Sequence, residues 1–189
     1  NQRFAEIIEE HNIKFIGPHS SHIKAMGNKI DAKKIMNENQ VPTVPGLNDV
    51  SDKTKIKEFI KNVKLPIIVK AASGGGGKGM RVVTNTEEID NAINSAKTEA
   101  KKSFNDDKVY LEKFLTTPKH IEIQILADTH GNIITLGERD CSIQRKHQKL
   151  IEESPSELLT NDKREEISEL CKKAVSSLGY EGVGTLEFL

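Results

Sequence analysis

Residues 67–83 read Ile67-Ile68-Val69-Lys70-Ala71-Ala72-Ser73-Gly74-Gly75-Gly76-Gly77-Lys78-Gly79-Met80-Arg81-Val82-Val83, a tetraglycine between two apolar runs. Consecutive glycines lose more backbone freedom on ordering than other residues, but their amides can approach a ligand without obstruction. Oriented amides with Lys78 beside them form a cradle that suits phosphate. The flanking strands predict a strand–loop–strand lid that folds over a nucleotide. A glycine-rich hairpin without a ligand is the alternative at this point.

The two commonest nucleotide-binding motifs do not fit this loop. A P-loop requires Ser or Thr directly after its lysine and a glycine at the start of the motif. Gly79 follows Lys78 here, and Ala72 occupies the position of that first glycine. The glycine spacing also matches a dinucleotide fingerprint, but that fingerprint must open a helix. The apolar run 80–83 predicts a strand instead, so the match is rejected.

The composition of the chain excludes several classes of protein. Its 189 residues include 28 basic and 28 acidic side chains, so no basic excess indicates nucleic acid as a partner. The two cysteines, Cys141 and Cys171, form neither a CxxC pair nor a disulfide framework, which indicates reduced thiols. No apolar run approaches the length of a membrane span, so no membrane partner is expected. The predicted location is the cytoplasm, or the mitochondrial matrix or plastid in a eukaryote.

The apolar pattern predicts mixed helix and sheet, the α+β class, in three parts. Residues 1–41 are expected to be the end of an N-terminal α/β domain and a linker, with a helix at 2–11 and a short strand at 13–16. Residues 42–115 are expected to form a small α/β lid domain that carries the glycine loop. Residues 116–189 are expected to be the first, truncated part of a larger antiparallel-sheet domain. The chain begins in a helical pattern and stops in a strand pattern, which predicts a fragment.

Periodicity and capping signals place the elements of the last two parts. Helices are predicted at 53–63, 86–103 and 161–178, and strands at 67–70, 80–83, 109–114, 133–139 and 182–189. In 120–125, isoleucines alternate strictly with polar residues, which predicts one buried and one wet face. The buried face holds Ile121, Ile123 and Ile125, and the wet face holds His120, Glu122 and Gln124.

Two lysines are candidates for binding polyphosphate. Lys70 ends an otherwise apolar strand, where lysine is rarely buried unpaired, so an anionic partner is expected. A lysine that extends to water at the strand end is the alternative. Lys29 begins a helix, where a cation opposes the helix dipole. The segment 112–115, Glu-Lys-Phe-Leu, ends the last strand of the lid domain and is a candidate site for a nucleotide base. An ordinary strand end is the alternative there.

The segment from Arg139 to Lys149 is the second strong signal. It places four cations, an imidazole and two amides within eleven residues, a density that suits an oxyanion and phosphate oxygens. His147 fits either a general base or a donor to ribose or phosphate. Zinc is disfavoured because no second His or Cys lies at ligand spacing. Glu187, in an apolar strand, is a candidate ligand for the Mg²⁺ that a nucleotide carries.

These stretches together resemble the biotin carboxylase family of the ATP-grasp superfamily. The resemblance covers essentially the whole chain and rests on Phe15-Ile16-Gly17-Pro18, Met26-Gly27-Asn28-Lys29, Val44-Pro45-Gly46, the segment from Lys70 to Arg81, Glu112-Lys113-Phe114-Leu115, the segments 118–124 and 138–149, and Gly184-Thr185-Leu186-Glu187-Phe188.

The resemblance implies a role for each matching residue. ATP phosphates would be held by Lys29, Lys70 and the amides of Gly76 and Gly77, and adenine by Glu112, Lys113, Phe114 and Leu115. Ribose and phosphate would be surrounded by His120, Gln144 and His147. Lys149, with His147, would handle bicarbonate and phosphate as the catalytic pair, and Glu187 would hold Mg²⁺ or Mn²⁺. The main base and the second metal ligand would lie past Leu189, so this stretch alone is expected to bind nucleotide weakly.

The implied reaction is the ATP-dependent carboxylation of biotin by bicarbonate, through carboxyphosphate. Biotin would be presented on a carrier protein or domain, a carboxyltransferase would use the product, and the full-length protein is expected to be a homodimer. An acetyl-CoA carboxylase of fatty acid biosynthesis is one setting; propionyl-CoA, methylcrotonyl-CoA and pyruvate remain open as final acceptors. Two alternatives also stay open: a non-catalytic nucleotide-binding ATP-grasp module, and another ATP-grasp ligase such as carbamoyl-phosphate synthase or a purine-pathway ligase.

Overall fold

The structure is a computed structural model that describes residues 1–73, 77–145 and 148–189. In these ranges the elements in chain order are α1 (Gln2–Glu10), α2 (Ser20–Gly27), α3 (Lys29–Glu38), β1 (Gly46–Leu47), α4 (Lys53–Val63), β2 (Ile67–Ala71), β3 (Met80–Val83), α5 (Ile89–Phe104, preceded by the 3-10 turn Thr86–Glu88), β4 (Val109–Lys113), β5 (Ile121–Ala127), β6 (Ile133–Arg145), β7 (Gln148–Glu153), α6 (Asn161–Ser177) and β8 (Gly182–Phe188). The predicted α+β class is confirmed.

The described residues group into two compact units. The first, named here the glycine-loop unit, comprises Gly27–Lys33 and Pro42–Thr117. The second, named the long-strand unit, comprises Asn1–Met26, Lys34–Val41 and Pro118–Leu189. Residues 1–41 therefore contribute to both units, and the three-domain division given above stays a prediction.

The glycine-loop unit contains an antiparallel sheet in the order β1-β4-β2-β3. Helices α4 and α5 cover one face, where Ile56 and Ile93 pack against the strand residues Val69 and Leu111. The helix α4 begins as predicted, since the carboxylate of Asp52 accepts hydrogen bonds from the first-turn amides, a cap that contributes about 1 kcal/mol. Because side chains alternate along a strand, residues 70, 110 and 112 project from the opposite face of the sheet.

The long-strand unit contains an antiparallel sheet in the order β7-β6-β5-β8. Helix α6 lies on one face, where Ile167, Cys171 and Val175 pack against the isoleucines of β5. The burial of Ile121, Ile123 and Ile125 is confirmed, since each is at most 7% exposed. The prediction that the other face is wet is wrong at Glu122, which is 4% exposed. The side chains of Arg139 on β6 and Lys149 on β7 cover it.

The short strand predicted at 13–16 is also wrong. These residues form no strand, and Ile16 is 97% exposed. A strand is stable only with a hydrogen-bonded partner, and within the described residues none pairs with this segment. Residues 41–45 form neither helix nor strand, and Gly46 pairs with Glu112 as part of β1. Among the described helices, none has the combination of length and apolar composition that crossing a bilayer requires.

Candidate functional site

The glycine-loop unit gathers three lysines around one buried carboxylate. Lys33 Nζ lies 2.6 Å from Glu112 Oε1, and Lys70 Nζ donates a hydrogen bond to Glu112 Oε2. The side chain of Glu112 is only 7% exposed, so its charge depends on these two cations. Lys29 is close enough to both Lys70 and Glu112 to interact with them electrostatically. The cluster thus joins two predicted phosphate ligands, Lys29 and Lys70, with Lys33, which sequence reasoning missed.

Local hydrogen bonds fix the position of Lys29 relative to strand β2. Its backbone N–H donates to Ala72 O at 3.0 Å, and its Nζ lies 3.5 Å from Ala71 O. Helix α3 starts at this point because the side chain of Asn28 accepts a hydrogen bond from the amide of Ile30 at 2.9 Å. The start of α3 is therefore bonded to the end of β2, which brings the first lysine of the helix to the last residues of the strand.

The cluster carries more positive than negative charge. Burial lowers the pKa of Lys29, the Lys70 ammonium lowers it further, and Glu112 opposes the shift. Two cations bind the single carboxylate directly, and a third is held close to them in a partly buried place. A polyanion placed here would relieve the repulsion between the ammonium groups. The arrangement therefore suits phosphate oxygens.

The glycine loop is described only at its edges. Gly77 has φ +76° and Gly79 has φ +68°, conformations that favour glycine. A Cβ on Gly79 would also lie 2.8 Å from Ala71 Cβ, so the loop returns too close to β2 for a side chain. At the other edge, Ser73 Oγ donates to Asp106 Oδ2 at 2.6 Å. Gly76, a predicted amide donor, lies outside the described residues.

The segment predicted to contact adenine begins in strand β4 and continues past its end. The carboxylate of Glu112 turns into the lysine cluster, and its backbone pairs with Gly46 and Ile68 in the sheet. Lys113 Nζ donates to Lys64 O at 3.0 Å. Phe114 and Leu115 are half-buried, and the amide of Phe114 donates to Pro66 O at 3.2 Å. The adenine contact stays a prediction.

The long-strand unit carries a second charged cluster on the sheet face opposite α6. Lys149 Nζ donates to Glu122 and, at 2.7 Å, to Glu187 Oε1. Arg139 Nε donates to Glu122 Oε1 at 2.5 Å, and its terminal nitrogen donates to Gln124 Oε1 at 3.0 Å. The register of the sheet produces this contact, because Glu122 pairs with Arg139 on β6 and with Glu187 on β8.

The charged groups of this cluster shift the pKa values of one another. Burial alone raises the pKa of Glu122, but hydrogen bonds from Lys149 and Arg139 outweigh it, so the net shift is downward. Burial lowers the pKa of Lys149, and the bonds to Glu122 and Glu187 reverse this to a net rise. Both groups are therefore charged at neutral pH. Lys149 is a fixed cation shared by two carboxylates.

His120 and Gln144, both predicted site residues, lie beside that cluster. Gln144 Nε2 lies 2.7 Å from His120 Nδ1 and donates to Cys141 O at 2.8 Å. If the amide nitrogen donates to Nδ1, the ring proton of neutral His120 is on Nε2, which faces Glu187 Oε1 at 3.4 Å. The ring is thus oriented by Gln144, whereas its Nε2 has no hydrogen-bond partner among the described residues. His147, the other predicted histidine, lies outside the described residues.

Carboxylates in this unit offer two places for a cation. Glu187 is 53% exposed, and within the described residues only its Oε1 has partners, which leaves Oε2 for a metal ion. Glu122, Cys141 and Glu152 also have ligand atoms within 4.8 Å of one another. The oxygens of Glu122 are already bound by Arg139 and Lys149, so Glu187 is the better candidate. Magnesium prefers one or two carboxylates together with phosphate oxygens.

Sequence reasoning did not identify Lys33 and Glu122 as members of the charged clusters, although a weak pattern pointed to each. Lys33 follows Lys29 by four positions on α3, so the two share a helix face. Glu122 occupies the same strand face as His120, which was a candidate. Spacing alone could not assign partners to either residue, because Glu112 is 79 positions from Lys33 and Lys149 is 27 from Glu122.

Comparison with known proteins identifies relatives along the whole chain. The family model for the carbamoyl-phosphate synthase L chain, ATP binding domain, matches residues 28–189. The chain is 48% identical over 191 residues to a biotin carboxylase of Haemophilus influenzae, covering all of this chain and 43% of that protein. It is 45% identical to a propionyl-CoA carboxylase alpha chain of Ruegeria pomeroyi, of which it covers 28%.

A solved structure matches the fold. The biotin carboxylase domain dimer of Hydrogenobacter thermophilus 2-oxoglutarate carboxylase, in complex with MgADP, ADP and bicarbonate, gives a TM-score of 0.94 at 46% identity. The match covers 100% of this chain and 42% of that one. The predicted ATP-grasp fold and the resemblance to biotin carboxylases are confirmed. The chain spans less than half the length of these relatives.

Proposed function

The chain belongs to the family of the carbamoyl-phosphate synthase L chain ATP-binding domain, and from this premise we propose that it is the nucleotide-binding part of a biotin carboxylase. The full-length protein would be an ATP-dependent ligase that carboxylates biotin with bicarbonate. The observation that carries the proposal is the lysine cluster of the glycine-loop unit, where Lys29, Lys33 and Lys70 surround a single buried carboxylate. Its excess positive charge suits the phosphates of ATP.

Each charged cluster has a part in the proposed chemistry. Lys29 and Lys70, with the amides of Gly76 and Gly77, would hold the phosphates, and residues 112–115 would contact adenine. His120, Gln144 and His147 would bind ribose and phosphate. Lys149 would attract and orient bicarbonate. Mg²⁺, with Mn²⁺ as its substitute, would neutralise phosphate charge, and the free oxygen of Glu187 fits one of its ligand positions.

The proposed reaction proceeds in two steps. A bicarbonate oxygen attacks the γ-phosphorus of ATP, the bond to the β-phosphate oxygen breaks, and ADP leaves, which gives carboxyphosphate. Carboxyphosphate then divides into CO₂ and phosphate, the released phosphate takes the proton from N1 of biotin, and N1 bonds to CO₂. The residues of this chain would hold the two anionic reactants together against their mutual repulsion. Such positioning and charge stabilisation are the main source of rate in phosphoryl transfer.

The remaining partners are proposed from the relatives. The structural relative is a dimer bound to bicarbonate, which supports a homodimer and bicarbonate as a substrate. Biotin would be presented on a carrier protein or domain, and a carboxyltransferase would complete the reaction. The relatives include carboxylases of different acceptors, so acetyl-CoA and fatty acid biosynthesis are one option among several. We place the protein in the cytoplasm, or in a mitochondrion or plastid if its source is eukaryotic.

The proposed function is tested by the bicarbonate dependence of ATP hydrolysis. We expect the full-length protein to release phosphate from MgATP only when bicarbonate is present, with stimulation by free biotin, because bicarbonate is the nucleophile. Phosphate release in bicarbonate-depleted buffer is the measurement to compare. If the rate of ATP hydrolysis does not depend on bicarbonate, the result would favour another ATP-grasp ligase. Nucleotide binding without hydrolysis would favour a non-catalytic module.

Nucleotide binding is expected to take up a proton at alkaline pH. Burial and Lys70 lower the pKa of Lys29 in the free protein, and a bound phosphate would raise it again because it favours the charged ammonium. At a pH between the pKa of Lys29 in the free protein and its higher pKa in the complex, Lys29 is largely neutral when free and takes up a proton when ATP binds. ATP affinity therefore falls as the pH rises through the pKa of Lys29 in the free protein. Calorimetric titrations in buffers of different ionisation enthalpy measure this uptake. Lys29→Arg, which stays charged, is expected to abolish it, and unchanged uptake in that variant contradicts the assignment.

A further inference from the structure

Glu112 is a buried carboxylate whose two oxygens bind two different lysines. Oε1 accepts from Lys33 at 2.6 Å, and Oε2 accepts from Lys70. A buried carboxylate that loses its only cation is strongly disfavoured, whereas one that keeps a second cation remains charged and fixed. If one of the two lysines leaves Glu112 to bind another anion, the second lysine still neutralises the buried carboxylate.

Lys33 is held far more firmly than Lys70. Its Nζ also donates to Val44 O at 2.6 Å and lies 5.7 Å from the centre of the Tyr110 ring. An ammonium has three donors, and the bonds to Glu112 and Val44 occupy two of them, while the Tyr110 ring adds a cation–π attraction. The backbone is also close, since a Cβ on Gly46 would lie 3.3 Å from this Nζ. For Lys70, by contrast, Glu112 is the single hydrogen-bond partner within the residues that the structure describes.

We propose that Lys33 is a positioning residue that keeps Glu112 neutralised while Lys70 exchanges its bond to Glu112 for one to a nucleotide phosphate. This inference rests on the proposed function of Lys70. Without Lys33, the move of Lys70 toward phosphate would leave a buried carboxylate without a cation, so Glu112 would retain Lys70. With Lys33 in place, Glu112 holds Lys70 near the phosphate position in the free protein and releases it when the nucleotide binds.

The helix α3 gives this arrangement a further consequence. Lys29 and Lys33 lie one turn apart on the same helix, and the amide of Lys29 is bonded to Ala72 O at the end of β2. The bond from Lys33 to Glu112 ties the same helix to β4. The two lysines therefore attach α3 to two neighbouring strands of the sheet, and only the first of them is directed to phosphate.

The test measures the dissociation constant of MgADP for variants of the full-length protein. Lys33→Met is expected to weaken binding about tenfold, although this side chain does not contact the nucleotide, because Glu112 then competes with phosphate for Lys70. Lys33→Arg keeps a cation on Glu112 and is expected to restore most of the affinity. The matched control is Lys34→Met, whose 73% exposed side chain lies next to Lys33 on α3 and is expected to change nothing.

A double variant separates positioning from a general structural effect. Glu112→Gln removes the buried negative charge, so adding Lys33→Met to it is expected to cause no further loss of affinity. A second tenfold loss in that background would mean that Lys33 acts through Val44 or through folding, and the inference would be wrong. Lys70→Met tests the proposed function separately. Unchanged binding in Lys70→Met overturns the role of Lys70 itself, whereas weakened binding there with normal binding in Lys33→Met overturns the positioning role alone.

Discussion

Replacing Lys149 by methionine is expected to lower kcat for bicarbonate-dependent ATP hydrolysis by roughly 100- to 1000-fold, the usual effect of removing one preorganised donor from an anion site. Lys149 is the cation shared by Glu122 and Glu187. With Arg139 and with Glu152, which lies 3.6 Å from Arg139, these five groups sum to −1, and without Lys149 they sum to −2. Bicarbonate would then approach a more strongly negative cluster. Phosphate release at saturating MgATP, over a range of bicarbonate concentrations, measures the loss.

The fold should survive this replacement, because Glu122 keeps its bonds to Arg139. The dissociation constant of MgADP is therefore expected to stay within about threefold of the parent value, because Glu122 still has a cation and the variant keeps its fold. Lys163→Met is the matched control, because Lys163 lies on the exposed face of α6 and pairs with Glu166, which is not part of this cluster. A Lys149→Met protein with normal kcat and normal bicarbonate dependence would remove Lys149 from the catalytic site.

The sequence predicted those parts of the fold that depend on local signals. Helix α4 was placed at its observed bounds because its apolar residues recur with helical period; in the structure Asp52 caps its start. The buried isoleucines of β5 followed from alternation alone. The segment 13–16 has the same apolar character but no partner strand in the described part of the chain, so it stays irregular. Local composition specifies a strand only where a neighbour exists to complete it.

Several residues of the two charged clusters were candidates from the sequence, but their pairing was not predicted, and their roles stay predictions. Lys70 was expected to need an anionic partner, and the structure supplies Glu112, 42 positions away on the neighbouring strand. Glu122 was expected to face solvent because alternation assigns it to the polar face. That face is instead covered by Arg139 and Lys149, whose approach depends on strand register. Register between distant strands is set by the whole sheet, so no local pattern could reveal it.

Glu138 and Arg164 form a second buried ion pair, on the opposite face of the same sheet. Glu138 is 2% exposed, and Arg164 Nε lies 2.7 and 2.9 Å from its two carboxylate oxygens. The amide of Ser156 donates a third hydrogen bond to the carboxylate at 3.1 Å. The pair joins β6 to helix α6, and nothing in it resembles a ligand site. Its role is therefore structural.

Replacing Arg164 by methionine is expected to lower the free energy of unfolding of the long-strand unit by about 3 kcal/mol, because it leaves a buried carboxylate without its cation. Hydrogen exchange of the β6 and α6 amides measures this loss in the full-length protein. Arg164 lowers the pKa of Glu138, so the pair stabilises the fold above the ordinary glutamate pKa and less as the pH falls through the lowered one. The difference between variant and parent should shrink accordingly in acid. The double variant Glu138→Gln with Arg164→Met should recover part of the loss, and Lys163→Met, on the exposed face of α6, should show none. Equal losses in the single and double variants would contradict a charge effect.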